Sequence, residues 1–302
     1  MSVIVRIGAL LAAGCLFLAA GVAEAGEARV AVAEGVSLRV VRSGAPSDRA
    51  PVIFVPGWST DADIWAEQMR RLGGDREVIA FDPRSQGASS LTLGGNTPEQ
   101  RARDLAVLVD RLQLSRPPVL VGWSQGVQDV TAYVGQFGDS RIAGVVLVDA
   151  AVSSGAPAAS QRPEDVATLL GRLDLYVAHQ PEYLKGMMQA IITRPQEPGV
   201  IEALVATGLR TPPSIGVAQL IADLYGADRS GALAGLRKPA LVVAAAGSPE
   251  RERMAALAAA LADGRLEVVA DAGHAVFLDQ PDKFAAILSD FLARIDPQFR
   301  PA

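Results

Sequence analysis

The sequence has little of the side-chain chemistry that disulfide frameworks and metal centres need. Its 302 residues include one cysteine, Cys15, and two histidines, His179 and His274. One cysteine excludes an intrachain disulfide, and two histidines far apart in sequence disfavour a histidine-rich metal site. We therefore expect no metal ion and no organic cofactor. Any histidine that acts as a catalytic base must be one of these two.

The chain also lacks a surplus of basic charge. It has 28 Lys and Arg residues against 33 Asp and Glu residues, a formal net charge of −5. Such a balance leaves nothing to neutralise phosphates, so we expect no nucleic-acid partner. Half of the residues are apolar, which suffices for a large core and excludes a disordered chain. We expect the partner to be a small-molecule substrate, and the oligomeric state stays open.

Residues 1–25 are predicted to be a secretory signal peptide. Arg6 precedes the apolar run Ile7–Ala20, which is short for a membrane span, and Ala23-Glu24-Ala25 offers a cleavage site. We expect export to the periplasm or beyond, without stable membrane association after cleavage. An uncleaved N-terminal anchor is one alternative. A lipoprotein attached at Cys15 is another, and it fits poorly because the apolar run continues past that residue.

Short, continuous apolar runs predict strands that are covered on both faces, as in a parallel sheet. Two β-rich segments around Gly35 predict a hairpin before them. The predicted hairpin strands are Ala28–Val32 and Val36–Val41, and the later strands are Pro51–Val55, Glu77–Phe81, Pro118–Val121, Ala143–Val148, Pro239–Ala245 and Leu266–Ala270.

Helical patterns alternate with these strands. Thr97 and Pro98 begin one helix, and Pro281 begins another near the C-terminus. The predicted fold is therefore α/β, a doubly wound and mostly parallel sheet with a helical cap inserted after the sixth strand. We assign the core to residues 26–152 and 238–302 and the cap to residues 153–237. The predicted cap helices are Glu164–Leu173, Glu182–Ile192, Val200–Gly208 and Val217–Tyr225.

A G-x-S-x-G pentapeptide, Gly122 to Gly126, directly follows the strand run that ends at Val121. A predicted helix, Val127–Phe137, comes after it. A sharp turn between strand and helix lifts a serine above the sheet in a strained conformation, and the two glycines avoid collisions in that turn. Ser124 is therefore the candidate nucleophile.

A serine nucleophile needs a base, and His274 is the candidate. It follows the last predicted strand and precedes the final helix, in Ala272-Gly273-His274. His179 lies in the predicted cap, where we interpret it as a surface or packing residue.

These motifs together resemble the α/β-hydrolase superfamily, in the serine hydrolase or esterase-like branch with a helical lid. The matching segments are Phe54–Trp58, Phe81–Ser89, Gly122–Gly126 and Ala272–His274, in this order along the chain. The resemblance implies an oxyanion hole formed by the backbone N–H groups of Trp58 and Gln125. The family usually has His-Gly at the first turn, where this chain has Pro56-Gly57. Because the donor is a backbone N–H group, this difference in sequence does not by itself remove it.

The carboxylate that completes the triad stays open between two residues. The family usually places an aspartate just after the strand Pro239–Ala245, where this chain has Ser248. Asp149, at the end of the preceding strand, is slightly preferred because a strand end is a rigid mount. Glu250 is the alternative acid, and it is also explained as a charge at a helix N-terminus.

The resulting hypothesis is hydrolysis of a small or medium carboxylic ester or lactone through an acyl-enzyme. A carbon–carbon bond hydrolase, an aminopeptidase or a perhydrolase would use the same triad, and a non-catalytic ligand-binding protein is the competing class. We expect apolar cap residues to shape the substrate pocket or to form the core of the cap. Those residues are Leu173, Tyr176, Met187, Met188, Leu224 and Tyr225.

Overall fold

The structure, a computed structural model, describes residues 26–299, so the predicted signal peptide lies outside the described residues. It contains one sheet of eight strands. The strands are β1 (Gly26–Ala33), β2 (Val36–Ser43), β3 (Val52–Val55), β4 (Val78–Phe81), β5 (Val119–Trp123), β6 (Gly144–Val148), β7 (Ala240–Ala245) and β8 (Gly264–Val269).

Strand order in the sheet is β1-β2-β4-β3-β5-β6-β7-β8. The hairpin strands β1 and β2 are antiparallel, and β2 is also antiparallel to β4. All neighbours from β4 to β8 are parallel. The predicted α/β fold with a mostly parallel sheet is therefore confirmed.

Eleven α-helices connect or flank these strands within residues 26–299, together with 3₁₀ turns at Ala62–Trp65 and Pro297–Phe299. The helices are α1 (Ala66–Leu72), α2 (Pro98–Leu112), α3 (Gln125–Phe137), α4 (Gly155–Ala159), α5 (Pro163–Ala178), α6 (Gln180–Ile191), α7 (Val200–Gly208), α8 (Pro213–Tyr225), α9 (Arg251–Ala260), α10 (Val276–Asp279) and α11 (Pro281–Ile295).

The central strands are apolar without alternation because both faces of the sheet are covered. Every residue of β3, β5, β6 and β7 is buried. On one face, Trp65 stacks between Phe54 and Phe277, with ring centroids 4.6 and 3.9 Å away. On the other face, α2 and α3 pack their apolar sides against the same strands. Burial on both faces supplies the hydrophobic free energy that holds the sheet together.

The chain between β6 and β7 forms helices α4 to α8, which we call the helical insertion (residues 155–225). It follows the sixth strand, where the cap was predicted. The predicted helices correspond to α5, α6, α7 and α8, with α5 longer by one residue at its start and five at its end. The short α4 was not predicted, since its sequence GAPAA carries no apolar period. The domain boundaries themselves stay a prediction.

Asp61 is a buried aspartate at the contact between the sheet core and α7. Its carboxylate accepts hydrogen bonds from Asp63 N at 3.1 Å and from Thr207 Oγ1 at 3.2 Å. Burial, followed by repulsion from Asp82 and Asp63, raises its pKa to about 6. The folded state therefore holds this proton more tightly than the unfolded chain does, and stability falls as pH rises through roughly 4 to 6.

Asp61→Asn is expected to increase the free energy of unfolding at pH 8 by about 1–3 kcal/mol, because it removes a charge whose burial is unfavourable. The gain should shrink as the pH falls and disappear below about pH 3, where Asp61 is protonated in both states. Thermal and urea unfolding at the two pH values measure it. Asp282→Asn is the matched control, since its side chain is 88% exposed and its charge is not among those that raise the Asp61 pKa. Equal stability of Asp61→Asn and wild type at pH 8 would contradict this account.

Candidate active site

Ser124 lies on the sharp turn between β5 and α3. Its φ and ψ are 56° and −116°, a conformation that non-glycine residues rarely adopt. A Cβ added at Gly122 would approach Gly126 O to 2.3 Å, and one added at Gly126 would approach Val55 O to 2.4 Å. Both glycines of the pentapeptide are therefore required by the backbone that surrounds the serine. The helix α3 begins at the next residue, so its N-terminal dipole points at this position.

His274 follows β8 and is held from several sides. Its Nδ1 lies 2.9 Å from Asp149 Oδ2, and its carbonyl accepts a hydrogen bond from Trp123 Nε1 at 2.9 Å. The imidazole also lies against the Trp123 ring, with centroids 5.3 Å apart. When Nδ1–H of a histidine donates to a carboxylate, Nε2 is left without a proton, and this is the tautomer that a general base requires.

Asp149 is the carboxylate that pairs with His274. It immediately follows β6, has a φ of 46°, and is 4% exposed. Its second oxygen, Oδ1, accepts a hydrogen bond from Ala245 N at 2.8 Å. Because Ala245 is the last residue of the neighbouring strand β7, the carboxylate is fixed by two strand ends at once. This attachment at two strand ends leaves the Asp149 side chain little freedom to turn away from the imidazole.

Glu250, the alternative acid, makes other contacts. Its Oε2 accepts from Ala151 N at 2.9 Å, and its Oε1 accepts from Arg253 Nη1 at 2.8 Å. Among the described residues it has no hydrogen bond to His274. The structure therefore places Asp149, and not Glu250, beside the imidazole.

The turn Pro56-Gly57-Trp58 adjoins the serine. A Cβ added at Gly57 would lie 3.2 Å from Ser124 Cβ, which shows how closely this turn approaches it. Gln125 is the first residue of α3, and the N–H groups of a first helical turn have no partner within their helix. The two residues named by the family resemblance both line the same cavity as Ser124.

A cavity of about 280 Å³ joins these residues. Ser124, His274, Trp58 and Gln125 all line it, together with residues of the helical insertion. Within residues 26–299 no hydrogen bond connects Ser124 Oγ to His274, although both border the cavity. Catalytic hydrogen bonds are often long without bound substrate, so this geometry is compatible with proton transfer.

The six apolar cap residues divide into two groups. Leu224 and Tyr225 line the cavity, which agrees with the expectation that apolar cap residues shape the substrate pocket. Leu173, Tyr176 and Met188 are instead at most 5% exposed and pack inside the protein, and Met187 is partly buried in the same clusters. For these four the structure supports the packing interpretation and not a direct role in substrate shape.

His179 is exposed at the junction of α5 and α6, away from the cavity lining.

Gln86 supports the turn that carries Trp58, and the sequence did not reveal this. Its Oε1 accepts from Ser59 N at 2.9 Å, and its Nε2 donates to Gly57 O and Thr60 O, each at 3.2 Å. One buried amide thus satisfies three backbone groups of the turn. Its place in the segment Phe81–Ser89 was the available signal, but nothing local indicates which loop it contacts.

Asp279, in α10, was also missed, and it ties the histidine loop to the helical insertion. Its carboxylate accepts from Gly273 N at 2.7 Å, Arg194 N at 2.9 Å and Thr193 Oγ1 at 2.9 Å, and also from Thr193 N. On the other side of the histidine, Ala275 N donates to Ile191 O at 2.9 Å. The end of α6 thus holds Ala275 directly, and the residues that follow α6 hold Gly273 through Asp279.

Asp279→Asn is expected to lower the free energy of unfolding by about 2–3 kcal/mol, because the amide cannot accept from all four donors and leaves buried groups unpaired. Urea unfolding at pH 7 measures the change. Asp282→Asn is the matched control: its side chain is 88% exposed, and its ion pair with Arg71 should contribute little. Equal unfolding curves for the two variants would rule out a structural role for Asp279.

No group of three or more His, Cys, Asp or Glu side chains within residues 26–299 is arranged to hold a metal ion. In the same range no helix has the length and apolar character that crossing a membrane would require.

A family model described as "Alpha/beta hydrolase family" matches residues 52–287. The chain therefore belongs to the alpha/beta hydrolase family. The match runs from β3 to about the middle of α11 and includes every residue discussed above as part of the site.

Individual relatives have different names. A non-heme chloroperoxidase of Streptomyces lividans is 39% identical over 106 residues, 35% of this chain and 38% of the relative. The match thus spans just over a third of the length of the first curated relatives. The dihydrolipoyllysine-residue acetyltransferase component of the acetoin cleaving system of Cupriavidus necator is 28% identical over 89% of this chain and 71% of its own. Among solved structures, a thermophilic esterase from Thermogutta terrifontis (malate bound) is 26% identical, with a TM-score of 0.74 over 89% of this chain and 99% of the other.

Proposed function

We propose that this protein is an exported serine hydrolase that cleaves small or medium carboxylic esters or lactones. The observation that carries the proposal is the 2.9 Å contact between His274 Nδ1 and Asp149 Oδ2, at a cavity that Ser124 also lines. Family membership supports hydrolytic chemistry, and the likeness to an esterase over nearly the whole chain supports an ester substrate.

The proposed mechanism has two halves. Ser124 Oγ attacks the carbonyl carbon while His274 Nε2 takes its proton, and Asp149 stabilises the imidazolium that forms. The N–H groups of Trp58 and Gln125 hold the developing oxyanion. His274 then gives the proton to the leaving alkoxide, which departs as the alcohol. Water then attacks the acyl-enzyme while His274 takes one of its protons. As the bond to Ser124 Oγ breaks, His274 gives this proton to Oγ, and the carboxylic acid departs.

Substrate size follows from the cavity. About 280 Å³ lies near the lower end of the range for small-molecule sites, which favours short acyl and alcohol groups over long lipid chains.

Export of the protein stays a proposal that rests on residues 1–25, and the intact mass of protein recovered from the periplasm tests cleavage after Ala25.

A two-part experiment tests the function. Purified protein is expected to hydrolyse p-nitrophenyl acetate and butyrate, and a fluorophosphonate probe should add its mass to the peptide that contains Ser124. His274→Ala should suppress the labelling, since the serine then lacks its base. No hydrolysis of esters or lactones, or labelling at another residue, would contradict the proposal.

Peracid formation is a second candidate, favoured by the likeness to chloroperoxidases over 106 residues. In this reaction hydrogen peroxide replaces water in the attack on the acyl-enzyme, and a peracid leaves. Oxidation of a halide indicator in acetate and peroxide, lost in Ser124→Ala, would show it.

A further inference from the structure

Helix α8 of the helical insertion is bonded to the side chains of both proposed oxyanion residues. Trp58 Nε1 donates to Gly216 O at 2.9 Å, and Gln125 Nε2 donates to Asp223 Oδ2. Gly216 and Asp223 are about two helical turns apart and so lie on the same side of α8. One rigid element therefore contacts the turn before the serine and the helix after it.

The Trp58 contact is tightly packed. The indole lies on Tyr176 with ring centroids 4.9 Å apart. A Cβ added at Gly216 would approach Tyr176 Oη to 2.4 Å, so a glycine is needed for α8 to come this close. The Trp58 side chain is 7% exposed and contacts apolar residues of α6, α7 and α8.

Asp223, the hydrogen-bond partner of Gln125, belongs to a buried cluster of charged side chains. Asp223 Oδ1 accepts from Arg101 Nη2 at 2.5 Å, and Arg101 Nε also donates to Asp129 at 2.9 and 3.0 Å. The side chains of Arg101, Asp129 and Asp223 are each at most 4% exposed. Burial raises the pKa of both Asp129 and Asp223, and the charge of Arg101 opposes this shift. Arg101 therefore compensates for the buried carboxylates and fixes Asp223 in place.

Among the described residues, the side-chain amide of Gln125 has one hydrogen-bond partner, Asp223. Its Oε1 is buried without a hydrogen-bond partner among the described residues. An ionised carboxylate only accepts hydrogen bonds, so the NH₂ group must face Asp223. The bond to Asp223 alone therefore sets the orientation of this side chain.

We propose that α8 is a clamp that positions the oxyanion hole, with Asp223 and Gly216 as its two fixed points; this rests on the proposed function. An oxyanion hole works only when its donors lie about 2.7–3.1 Å from the oxyanion, and small displacements are costly. Because Trp58 and Gln125 are each anchored to α8 by their side chains, the helix sets the distance between their backbone N–H groups. Asp223 is thus a positioning residue and touches no reacting atom.

The decisive variants are Gln125→Met and Trp58→Phe, which remove the clamp bonds and keep the backbone N–H groups. Gln219→Met is the matched control, since Gln219 lies on α8 between the fixed points and donates to Arg84 O at 3.4 Å, away from the hole. Asp223→Asn is a third clamp variant, and the first two keep the test valid if it fails to fold.

We expect each clamp variant to lose about tenfold in kcat on p-nitrophenyl acetate, while KM changes less than about twofold, because only transition-state stabilisation is weakened. The inhibition constant of a boronic acid, which forms a tetrahedral adduct with the serine, should rise in parallel. Gln219→Met should move neither value by more than about twofold.

A kcat within twofold of wild type in Gln125→Met and Trp58→Phe would overturn the clamp, as would a loss confined to KM or one shared equally by Gln219→Met. Fluorophosphonate labelling of wild type separates this failure from a wider one. If the wild type is labelled and active but the clamp variants are unaffected, the clamp alone is overturned. If the wild type is neither labelled nor active, the proposed function is overturned and the clamp with it.

Discussion

Ser124→Ala is expected to reduce hydrolysis of p-nitrophenyl acetate by at least about a thousandfold, because no other group can form the acyl-enzyme. The residual rate should come from the oxyanion donors and substrate binding alone. KM should change little, since a methyl group leaves the cavity wall intact. Initial rates across a range of substrate concentrations measure both values.

Ser154→Ala is the matched control for this loss. Ser154 lines the same cavity, so its replacement also removes one hydroxyl from the wall. It lies outside the turn at Ser124, and we expect its rate to stay within about threefold of wild type. A Ser124→Ala protein that is folded and as fast as Ser154→Ala would show that the hydrolysis does not pass through this serine.

The sheet could be predicted from sequence because its strands are coded locally. Runs such as Val119–Trp123 and Ala240–Ala245 are apolar at every position since helices cover both faces of the sheet. Only the ends differ: the last strand begins two residues before the predicted Leu266, at Gly264, where charged residues interrupt the run. The turn at Ser124 was equally local, because its two glycines stand beside the residue they allow to bend.

The contacts of the helical insertion could not be predicted in the same way. Asp223 and Gln125 are 98 positions apart, and nothing near either residue indicates the other. Asp223 occurs in an apolar helix whose pattern predicts only that one side is buried. Its burial depends on Arg101, which lies in a different helix again. Such a set of charges becomes visible only when three elements are packed together.

The acid was ambiguous in sequence for a geometric reason. Parallel strands end at one edge of the sheet, so the residue after β6 and the loop after β7 both reach the histidine loop. Sequence position gave only a slight preference for Asp149 over Glu250, because Asp149 directly follows a strand. The packing separates them: Asp149 receives a bond from the end of β7, while Glu250 has turned toward Ala151 and Arg253.

Asp149→Asn is expected to lower kcat/KM by about 10²–10⁴-fold, whereas Glu250→Gln should stay within about threefold of wild type. The new amide can still accept from Ala245 N, so the fold should survive. Its NH₂ group would face His274 Nδ1, which must then accept a hydrogen bond. The imidazole proton would move to Nε2, and the side chain could no longer take the proton from Ser124.

The comparison of these two variants is informative because both carboxylates lie near the cavity and both changes remove one negative charge. Glu250 lines the cavity directly, and Asp149 bonds to His274, which lines it. A general electrostatic effect of an acid near the site would lower the two rates alike. A specific effect on the imidazole would affect Asp149→Asn alone, and fluorophosphonate labelling should slow with it. If Glu250→Gln instead lost activity and Asp149→Asn kept it, His274 would have to turn away from Asp149 in the working enzyme, and the proton path would need a different acid.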